Sequence, residues 1–368
     1  MYTLKSQKVG SSDAGIETPS LVIDLDILEE NISTMADFFR HRDANLRPHT
    51  KTHKSPFIAH KQIEAGACGV TCAKLSEAEV TIFSGIPDVL IANQIVTKDK
   101  IEKLVGLAKH SSIIVAVDNI GNVKNLSAVA EQRNAALNVI IETDVGLGRA
   151  GTRTHDESIS LARLIRSLPG LVFRGIMGYE GHSVQIAGRV ERKEKANAAL
   201  SRLVDTKRMI EEQGIPVEIV SAGGTGTFNI AGAHPGVTEV QAGSYVTMDS
   251  KYRGVQGMKF RQALYVLATV TSRPTADIAI LDVGMKGITP DYGMPLLKDY
   301  SGSSVIKLSE EHAIVQTDRT ADQLAVGERV YLLPSHGCTT VNLYDQYAGV
   351  RNGVVEVVFN IPARGALV

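Results

Sequence analysis

Short apolar runs alternate with longer amphipathic segments from residue 20 to about residue 246. The apolar runs have the length and composition of β-strands, and such alternation is typical of βα units around a parallel sheet. One run, Ile-Ile-Val-Ala-Val at residues 113–117, is apolar throughout, as expected for a sheet that is buried on both faces. We predict nine strands, at residues 21–24, 46–49, 69–72, 88–92, 113–118, 138–142, 173–179, 218–222 and 239–246.

The segments between these strands have helical spacing and helical end signals. In residues 27–40 an apolar stripe recurs every three or four positions, and Asp26 precedes it as a candidate N-cap. The other predicted helices end near a glycine or a polar turn. The helices predicted in the first part of the chain cover residues 27–40, 56–65, 76–84 and 98–110.

Eight of the nine strands are enough for a (β/α)8 barrel, which needs about 250 residues. Beyond residue 253, short strand patterns follow one another with glycine, proline and aspartate turns, which is typical of an all-β region. We therefore predict an α/β chain with a TIM-like barrel at residues 27–250 and a second, C-terminal β domain made of residues 1–26 and 251–368. The first strand is left over from the barrel, and we expect this N-terminal strand to join the β domain.

Composition and charge exclude several classes of protein. Lys and Arg number 39 and Asp and Glu number 40, so the basic excess of a nucleic-acid-binding protein is missing. Three cysteines are too few for a disulfide framework, which favours a reducing compartment and a cytoplasmic protein. We place Cys68 and Cys72 in the core. Residues 1–17 are polar and no apolar run approaches about 18 residues, so we expect neither secretion nor membrane insertion.

The most basic stretch, Arg-Pro-His-Thr-Lys-Thr-His-Lys at residues 47–54, falls at the end of the first predicted barrel strand. The C-terminal strand ends of a barrel line its active site, so Lys51 is expected to point into the mouth. A lysine there can attack a carbonyl group and form a Schiff base. The alternative is a solvated basic loop.

Two glycine-containing turns follow the last two barrel strands, where barrels often bind phosphate. Residues 221–227, Ser-Ala-Gly-Gly-Thr-Gly-Thr, and residues 243–245, Gly-Ser-Tyr, offer backbone N–H groups and hydroxyls to an anion. Each is an ordinary turn when taken alone, but together they indicate a phosphorylated ligand. Arg149 and Tyr179 end two further strands and could contact a bound ring, or could serve as an ion-pair residue and a packing residue.

His336 and Cys338 directly follow the predicted strand at residues 329–333. On an extended segment, residues i and i+2 face the same side, so the two side chains can share a metal ion with water or substrate. A thiolate beside an imidazole favours zinc over magnesium or calcium. The alternative is a buried cysteine beside an exposed histidine.

In combination these motifs resemble the D-threonine aldolase and D-serine dehydratase-like enzymes, a family of pyridoxal-phosphate enzymes on an alanine-racemase-type barrel. The resemblance covers nearly the whole chain and rests on residues 18–24, 47–54, 223–227, 241–245 and 336–338. It implies that Lys51 forms the Schiff base with pyridoxal 5'-phosphate and that His336 and Cys338 hold a divalent metal, which is Zn, Mn or Mg. The other cofactor-binding residues on this interpretation are His49, Arg149, Tyr179, Gly224, Thr225, Gly226, Thr227, Gly243, Ser244 and Tyr245.

The resemblance also implies a homodimer that acts on a small D-amino acid. Retro-aldol cleavage of D-β-hydroxy-α-amino acids to glycine and an aldehyde is the expected reaction, and residues 341–345, Val-Asn-Leu-Tyr-Asp, favour the aldolase branch. Cys338 is the residue that dehydratase members pair with histidine, so a zinc-dependent D-serine or D-threo-3-hydroxyaspartate type of dehydratase stays open. An amino-acid racemase and a non-catalytic pyridoxal-phosphate carrier are further alternatives.

A general base is needed for either bond cleavage. His182 follows Tyr179 by three residues on a strand-end loop, and an imidazole with a pKa near neutrality suits proton transfer. We therefore predict His182 as the base, with a surface loop histidine as the alternative. His53 and Lys54 are weaker candidates.

Overall fold

The computed structural model describes residues 9–317 and 324–368, and two sheets organise this part of the chain. The first eight residues of the predicted segment 1–26 lie outside the described residues. The chain enters through β1 (Ser20–Asp24) and then builds an eight-stranded parallel sheet. The strands of this sheet are β2 (Asn45–Leu46), β3 (Val70–Cys72), β4 (Asp88–Gln94), β5 (Ser112–Val117), β6 (Leu137–Glu142), β7 (Leu171–Met177), β8 (Ile219–Ala222) and β9 (Glu239–Val240).

Helices follow most of these strands, as the alternating sequence pattern predicts. A buried cluster from β4 to β8, Leu90, Ile114, Ala116, Ile140, Met177 and Ile219, fills the barrel interior. The helices around the barrel are α1 (Leu25–Phe39), α2 (Pro56–Glu64), α3 (Leu75–Phe83), α4 (Lys98–Ala108), α5 (Ile120–Gln132), α6 (His155–Ser167), α7 (Arg189–Glu211) and α8 (Phe228–Ala231), and the short α9 (Ser250–Arg253) follows β9. Within residues 9–317 and 324–368, no helix is long and apolar enough to cross a membrane.

The second sheet lies C-terminal to the barrel and recruits β1 from the start of the chain. β1 pairs antiparallel with β10 and parallel with β16, so the predicted transfer of the first strand is confirmed. The other strands are β10 (Leu264–Thr275), β11 (Ile278–Leu281), β12 (Leu296–Leu297), β13 (Ser304–Leu308), β14 (Ala313–Gln316), β15 (Arg329–Leu333), β16 (Gln346–Arg351) and β17 (Val354–Asn360), with α10 (Gly337–Val341) between β15 and β16. The TIM-like barrel with a C-terminal β domain is confirmed, while the domain limits at residues 26 and 250 stay a prediction.

Several local predictions were wrong. The N-cap of α1 is Asp24, not Asp26, because the Asp24 carboxylate accepts a hydrogen bond from Ile27 N at 3.0 Å and the helix starts two residues early. The strand predicted at residues 239–246 ends at Val240, because the chain then forms a 3-10 turn at Ser244–Val246. Cys68 is exposed rather than part of the core, because it lies on the turn before β3; Cys72 is buried.

An ion network centred on Arg47 lies at the seam between the edge strands of the barrel sheet, β2 and β3. At this seam, backbone hydrogen bonds of 2.9 Å run from Cys68 N to Leu46 O and from Thr71 N to Pro48 O. Arg47, at the end of β2, is 4% exposed. Its guanidinium donates to both carboxylate oxygens of Glu239 on β9, at 2.8 and 2.9 Å, and to Asp88 on β4 at 2.5 Å.

Loss of the guanidinium should destabilise the protein strongly, because Glu239 would remain buried and charged without a partner. For Arg47→Met we expect the free energy of unfolding to fall by about 3–5 kcal/mol, measured by chemical denaturation. Arg133→Met is the matched control, since Arg133 pairs with Glu102 at the surface at 3.0 Å, and its loss should cost about 0–1 kcal/mol. Equal effects of the two substitutions would contradict this account.

Candidate active site

Lys51 sits on a tight turn that directly follows the barrel seam. The turn, Thr50–Thr52, is a 3-10 helix with His49 as its N-cap. The Thr50 hydroxyl donates to Thr71 O at 3.0 Å, so the turn is anchored to β3. Lys51 is partly buried and lines a cavity of about 310 Å³ at the C-terminal strand ends. The structure therefore places this lysine in the barrel mouth rather than in a solvated loop.

Burial controls the protonation states around this lysine. Desolvation lowers the pKa of Lys51, with a further contribution from the positive charge of Arg149. The pKa of His49 is lowered well below its usual value by desolvation and by Lys51, so His49 lines the cavity as a neutral imidazole. A less basic lysine carries more of the free amine near neutral pH, which is the form that attacks a carbonyl group.

Most residues that the sequence assigns to the cofactor line the same cavity. Arg149 Cζ and Lys51 Nζ each lie 5.9 Å from the centroid of the Tyr179 ring. Arg149 also forms an ion pair with Glu142 at 3.6 Å. The two roles that the sequence suggested as alternatives for Arg149, an ion pair and a position at the ligand site, therefore occur together. The predicted residues that line the cavity are His49, Lys51, Arg149, Tyr179, Gly224, Thr225, Gly243 and Ser244.

Three predicted cofactor residues, Gly226, Thr227 and Tyr245, do not line the cavity. The Thr227 hydroxyl donates to the buried carboxylate of Glu180 at 2.6 Å. The Tyr245 hydroxyl is fully buried and accepts a hydrogen bond from Gln62 at 2.8 Å. Any contact of these side chains with a cofactor stays a prediction.

The predicted general bases lie elsewhere. His182 is exposed and its ring lies over Gly146, outside the cavity lining. His53 is fully buried, bonded to Gln62 at 3.2 Å, and desolvation lowers its pKa to about 4. Lys54 forms a buried ion pair with Glu77 at 2.9 Å. Sequence position alone could not reveal these contacts, because the partners lie on other elements.

Several residues that line the cavity were not predicted from the sequence. Glu142 and Met177 end β6 and β7, and Gln94 ends β4 and donates to Glu142 at 2.6 Å. The signal that could have found them is their place as the last residue of a barrel strand. Thr52, Gln241 and Tyr252 also line the cavity, but none of them ends a predicted strand.

His336 and Cys338 lie close together, but not on an extended segment as predicted. His336 is the N-cap of α10, and Cys338 lies in the first turn of that helix. A hydrogen bond between the two side chains and the charge of each raise the pKa of His336 to about 9 despite burial, and lower the pKa of the Cys338 thiol despite burial. His336 Nδ1 also contacts Asp291 Oδ2 at 2.5 Å.

The donor chemistry of this pair fits a divalent metal. A thiol with a lowered pKa beside an imidazole is a soft donor set that suits zinc, and a carboxylate bonded to the second imidazole nitrogen is the usual partner of a metal-bound histidine. Among the described residues, no group of three or more His, Cys, Asp or Glu side chains is arranged to hold a metal ion. Water or substrate would therefore have to complete the coordination.

Comparison with known families identifies the fold and its relatives. The family model of the alanine racemase N-terminal domain matches residues 23–251, and that of a putative serine dehydratase domain matches residues 263–350. The chain belongs to the alanine racemase N-terminal domain family. This match, together with the relatives below, confirms the predicted resemblance and the prediction of an enzyme of the pyridoxal-phosphate type.

Relatives that match nearly the whole chain at 34–37% identity are named aldolases. The chain is 37% identical to a D-threonine aldolase from Arthrobacter sp. over 97% of this chain and 95% of the relative. It is 35% identical to a 3-hydroxy-D-aspartate aldolase from Paracoccus denitrificans over 97% and 94%. The crystal structure of D-threonine aldolase from Filomicrobium marinum superimposes with a TM-score of 0.96 at 35% identity, covering 98% of this chain and 99% of the other.

Reductive labelling tests whether Lys51 is the reactive lysine of this family member. After treatment with pyridoxal 5'-phosphate and borohydride, we expect peptide mass spectrometry to find the label on Lys51 and none on Lys54, because the latter is ion-paired. Since burial lowers the pKa of Lys51, the labelling rate should rise with pH through a midpoint below the ordinary lysine value of 10.5. Lys51→Ala should lose the label, the absorbance of bound cofactor and turnover. A coloured, active Lys51→Ala variant would overturn the assignment.

Proposed function

We propose that this protein is a pyridoxal-phosphate- and divalent-metal-dependent aldolase that cleaves D-threonine and related D-β-hydroxy-α-amino acids to glycine and an aldehyde. The proposal is supported by the 37% and 35% identity, over nearly the whole chain, to two aldolases of D-β-hydroxy-amino acids. The reaction is known for those relatives. We assign it to this protein because of the arrangement of its own residues.

One contact carries the proposal. Cys338 Sγ lies 3.5 Å from Thr52 Oγ1, and Thr52 is the neighbour of Lys51 on the same turn. The His336–Cys338 pair, at the start of α10, therefore reaches the turn that carries Lys51 through Thr52, which lines the cavity, although neither member of the pair lines it. A racemase or a cofactor carrier has no use for this pair, whereas a lyase acting on a β-hydroxyl group does.

The residues present fit a bound pyridoxal 5'-phosphate. Lys51 would hold the cofactor through Nζ, with Arg149 and Tyr179 beside the ring. The turns at Gly224–Thr225 and Gly243–Ser244 would hold the phosphate, since both line the cavity near the last strand ends. When bound, this cofactor withdraws electrons from Cα of an attached amino acid, so that a bond to that carbon can break.

The His336–Cys338 pair would hold a divalent metal, for which its donors favour zinc. Asp291 keeps the imidazole oriented through its 2.5 Å contact with Nδ1. Tyr292 stacks on the same imidazole with ring centroids 4.3 Å apart, which fixes the ring plane. A metal ion here would polarise the β-oxygen of a substrate and help to select the bond that reacts.

Proton transfer in this cavity falls to Lys51. Cleavage of the Cα–Cβ bond removes the β-hydroxyl proton and adds a proton to Cα of the glycine product. Because burial lowers its pKa, the Lys51 amine gives up a proton more readily than an ordinary lysine, and we assign it the delivery to Cα. Removal of the hydroxyl proton by His182 stays a prediction, since this side chain lies outside the cavity lining.

A dehydratase is the second candidate function, and Cys338 is the observation that favours it. The dehydratase members of the family, in the resemblance described above, pair histidine with cysteine. The putative serine dehydratase domain model also covers the segment that carries this pair. Dehydration would start with removal of the Cα proton and end with loss of the β-hydroxyl group, giving a keto acid and ammonia.

We further propose a homodimer in the cytoplasm. The family resemblance supports the dimer. All three cysteines of the chain are free, which supports a reducing compartment.

Product analysis with D-threonine tests the proposed reaction directly. The cofactor-loaded protein should release glycine and acetaldehyde in equal amounts, and a chelator should abolish the release, with recovery after zinc or manganese is added back. Ammonia and 2-oxobutanoate as products would contradict the aldolase assignment and favour the dehydratase. Full activity after chelation would remove the metal from the reaction.

Substitution of Cys338 tests the role of the His336–Cys338 pair separately from cofactor binding. Cys338→Ala should retain the absorbance of bound cofactor and lose at least about 100-fold in turnover, the scale expected when an electrophilic group is removed from a transition state. Cys68→Ala is the matched control, because the Cys68 thiol contacts Glu239 Oε1 at 3.8 Å, whereas that of Cys338 contacts Thr52 on the turn of Lys51, and Cys68→Ala should keep wild-type turnover. Wild-type turnover in Cys338→Ala would show that the pair is not part of the chemistry.

A further inference from the structure

A fully buried carboxylate, that of Glu180, joins two loops of the cavity. Glu180 follows β7 and is 0% exposed. One carboxylate oxygen accepts from the Thr227 hydroxyl at 2.6 Å, and the other accepts from Gly223 N at 3.1 Å. Both partners belong to the glycine-rich turn after β8, so one side chain binds the two ends of that turn.

The turn that Glu180 holds has donors available for a ligand. Within residues 9–317 and 324–368, the backbone N–H groups of Thr225 and Gly226 have no hydrogen-bond acceptor. Thr225 lines the cavity, and its hydroxyl accepts from Tyr245 N at 2.9 Å. Neighbouring unpaired N–H groups at the edge of a cavity form an anion site. The direction in which these N–H groups point depends on how the two ends of the turn are held.

The loop that carries Glu180 also packs tightly against this turn. A Cβ atom on Gly226 would lie 1.6 Å from Val184 O, so the two backbones are in direct contact at a position that only glycine can occupy. Tyr179, the preceding residue of the loop, lies against Gly224. A change in the Glu180 contacts would therefore move both the turn and the tyrosine that flanks the predicted ring site.

We propose that Glu180 is a positioning residue that holds the Gly223–Thr227 turn in the conformation that binds the phosphate of pyridoxal 5'-phosphate. The inference rests on the proposed cofactor dependence. Glu180 does not line the cavity and is not expected to contact the cofactor. It uses both carboxylate oxygens on the ends of the turn and leaves the N–H group of Thr225, which lines the cavity, without an acceptor.

Comparison of pyridoxal 5'-phosphate with pyridoxal, which lacks the phosphate, tests this role. The two dissociation constants are measured by absorbance titration of the apoprotein. Glu180→Ala should weaken binding of pyridoxal 5'-phosphate by about tenfold or more, because the two hydrogen bonds that fix the ends of the turn are lost, and should leave pyridoxal binding within about twofold of wild type. Glu180→Gln keeps an acceptor and a donor of the same size, and should recover most of the loss.

Ser183→Ala is the matched control. Ser183 is buried on the same loop, and its hydroxyl donates to Glu180 O at 2.8 Å without reaching the turn. This variant should bind both compounds as the wild type does. Thr227→Val removes the hydroxyl donor from the other side and should repeat the selective loss, which keeps the test valid if Glu180→Ala does not fold.

The outcomes distinguish failure of this role from failure of the proposed function. Equal loss of both compounds in Glu180→Ala and Thr227→Val, or no loss of either, would overturn the positioning role while leaving the cofactor assignment intact. A loss in Ser183→Ala as large as in Glu180→Ala would also overturn it. Failure of the wild-type protein to bind pyridoxal 5'-phosphate would overturn the proposed function and this inference together.

Discussion

The buried guanidinium of Arg47 fixes the seam of the barrel, and the candidate site depends on that seam. Removing a guanidinium and a carboxylate from water costs several kcal/mol per ion. This cost is offset by the hydrogen bonds of Arg47 to Glu239 and Asp88, which form only when β2, β4 and β9 are brought together in the closed arrangement. Gly69 shows how tight this arrangement is, since a Cβ atom there would lie 2.2 Å from Arg47 Nη1. The chain leaves this fixed point and turns within four residues, so the direction of Lys51 is set by the seam.

The C-terminal part of the chain, which carries the second sheet, contributes contacts to the candidate site. Tyr347 on β16 donates to His53 O at 2.9 Å, and Lys54 Nζ donates to Ala363 O at 3.4 Å. With the contact between Cys338 and Thr52, these bonds place the C-terminal part of the chain against the segment that follows Lys51. The pairing of β1 with β10 and β16 holds the sheet to the start of the barrel. A separated barrel would lose both the His336–Cys338 pair and the contacts that support the turn of Lys51.

The sequence predicts the parts of this architecture that depend on local pattern. The apolar run 113–117 became a strand buried on both faces, and His49 and Lys51 reached the barrel mouth because strand ends meet there. The failures have long-range causes. Thr227 and Tyr245 turn away from the cavity toward Glu180 and Gln62, which are 47 and 183 residues distant. The spacing of apolar residues along the chain cannot predict such distant partners, and it likewise did not predict the 3-10 turn at Ser244–Val246.

Burial also limits which side chains of the cavity can transfer protons. It therefore limits which residues can determine whether aldol cleavage or dehydration occurs. In the cavity, desolvation leaves His49 neutral, raises the pKa values of Tyr179 and Tyr252, and lowers the pKa of Lys51. Lys51 is then suited to the proton at Cα in both reactions, since it would give a proton after retro-aldol cleavage and take one before dehydration. The choice between them therefore falls to the groups around the β-oxygen. In the proposed function those groups are His336 and Cys338 at the start of α10, so on that proposal aldolase and dehydratase would diverge in the C-terminal domain and not in the barrel.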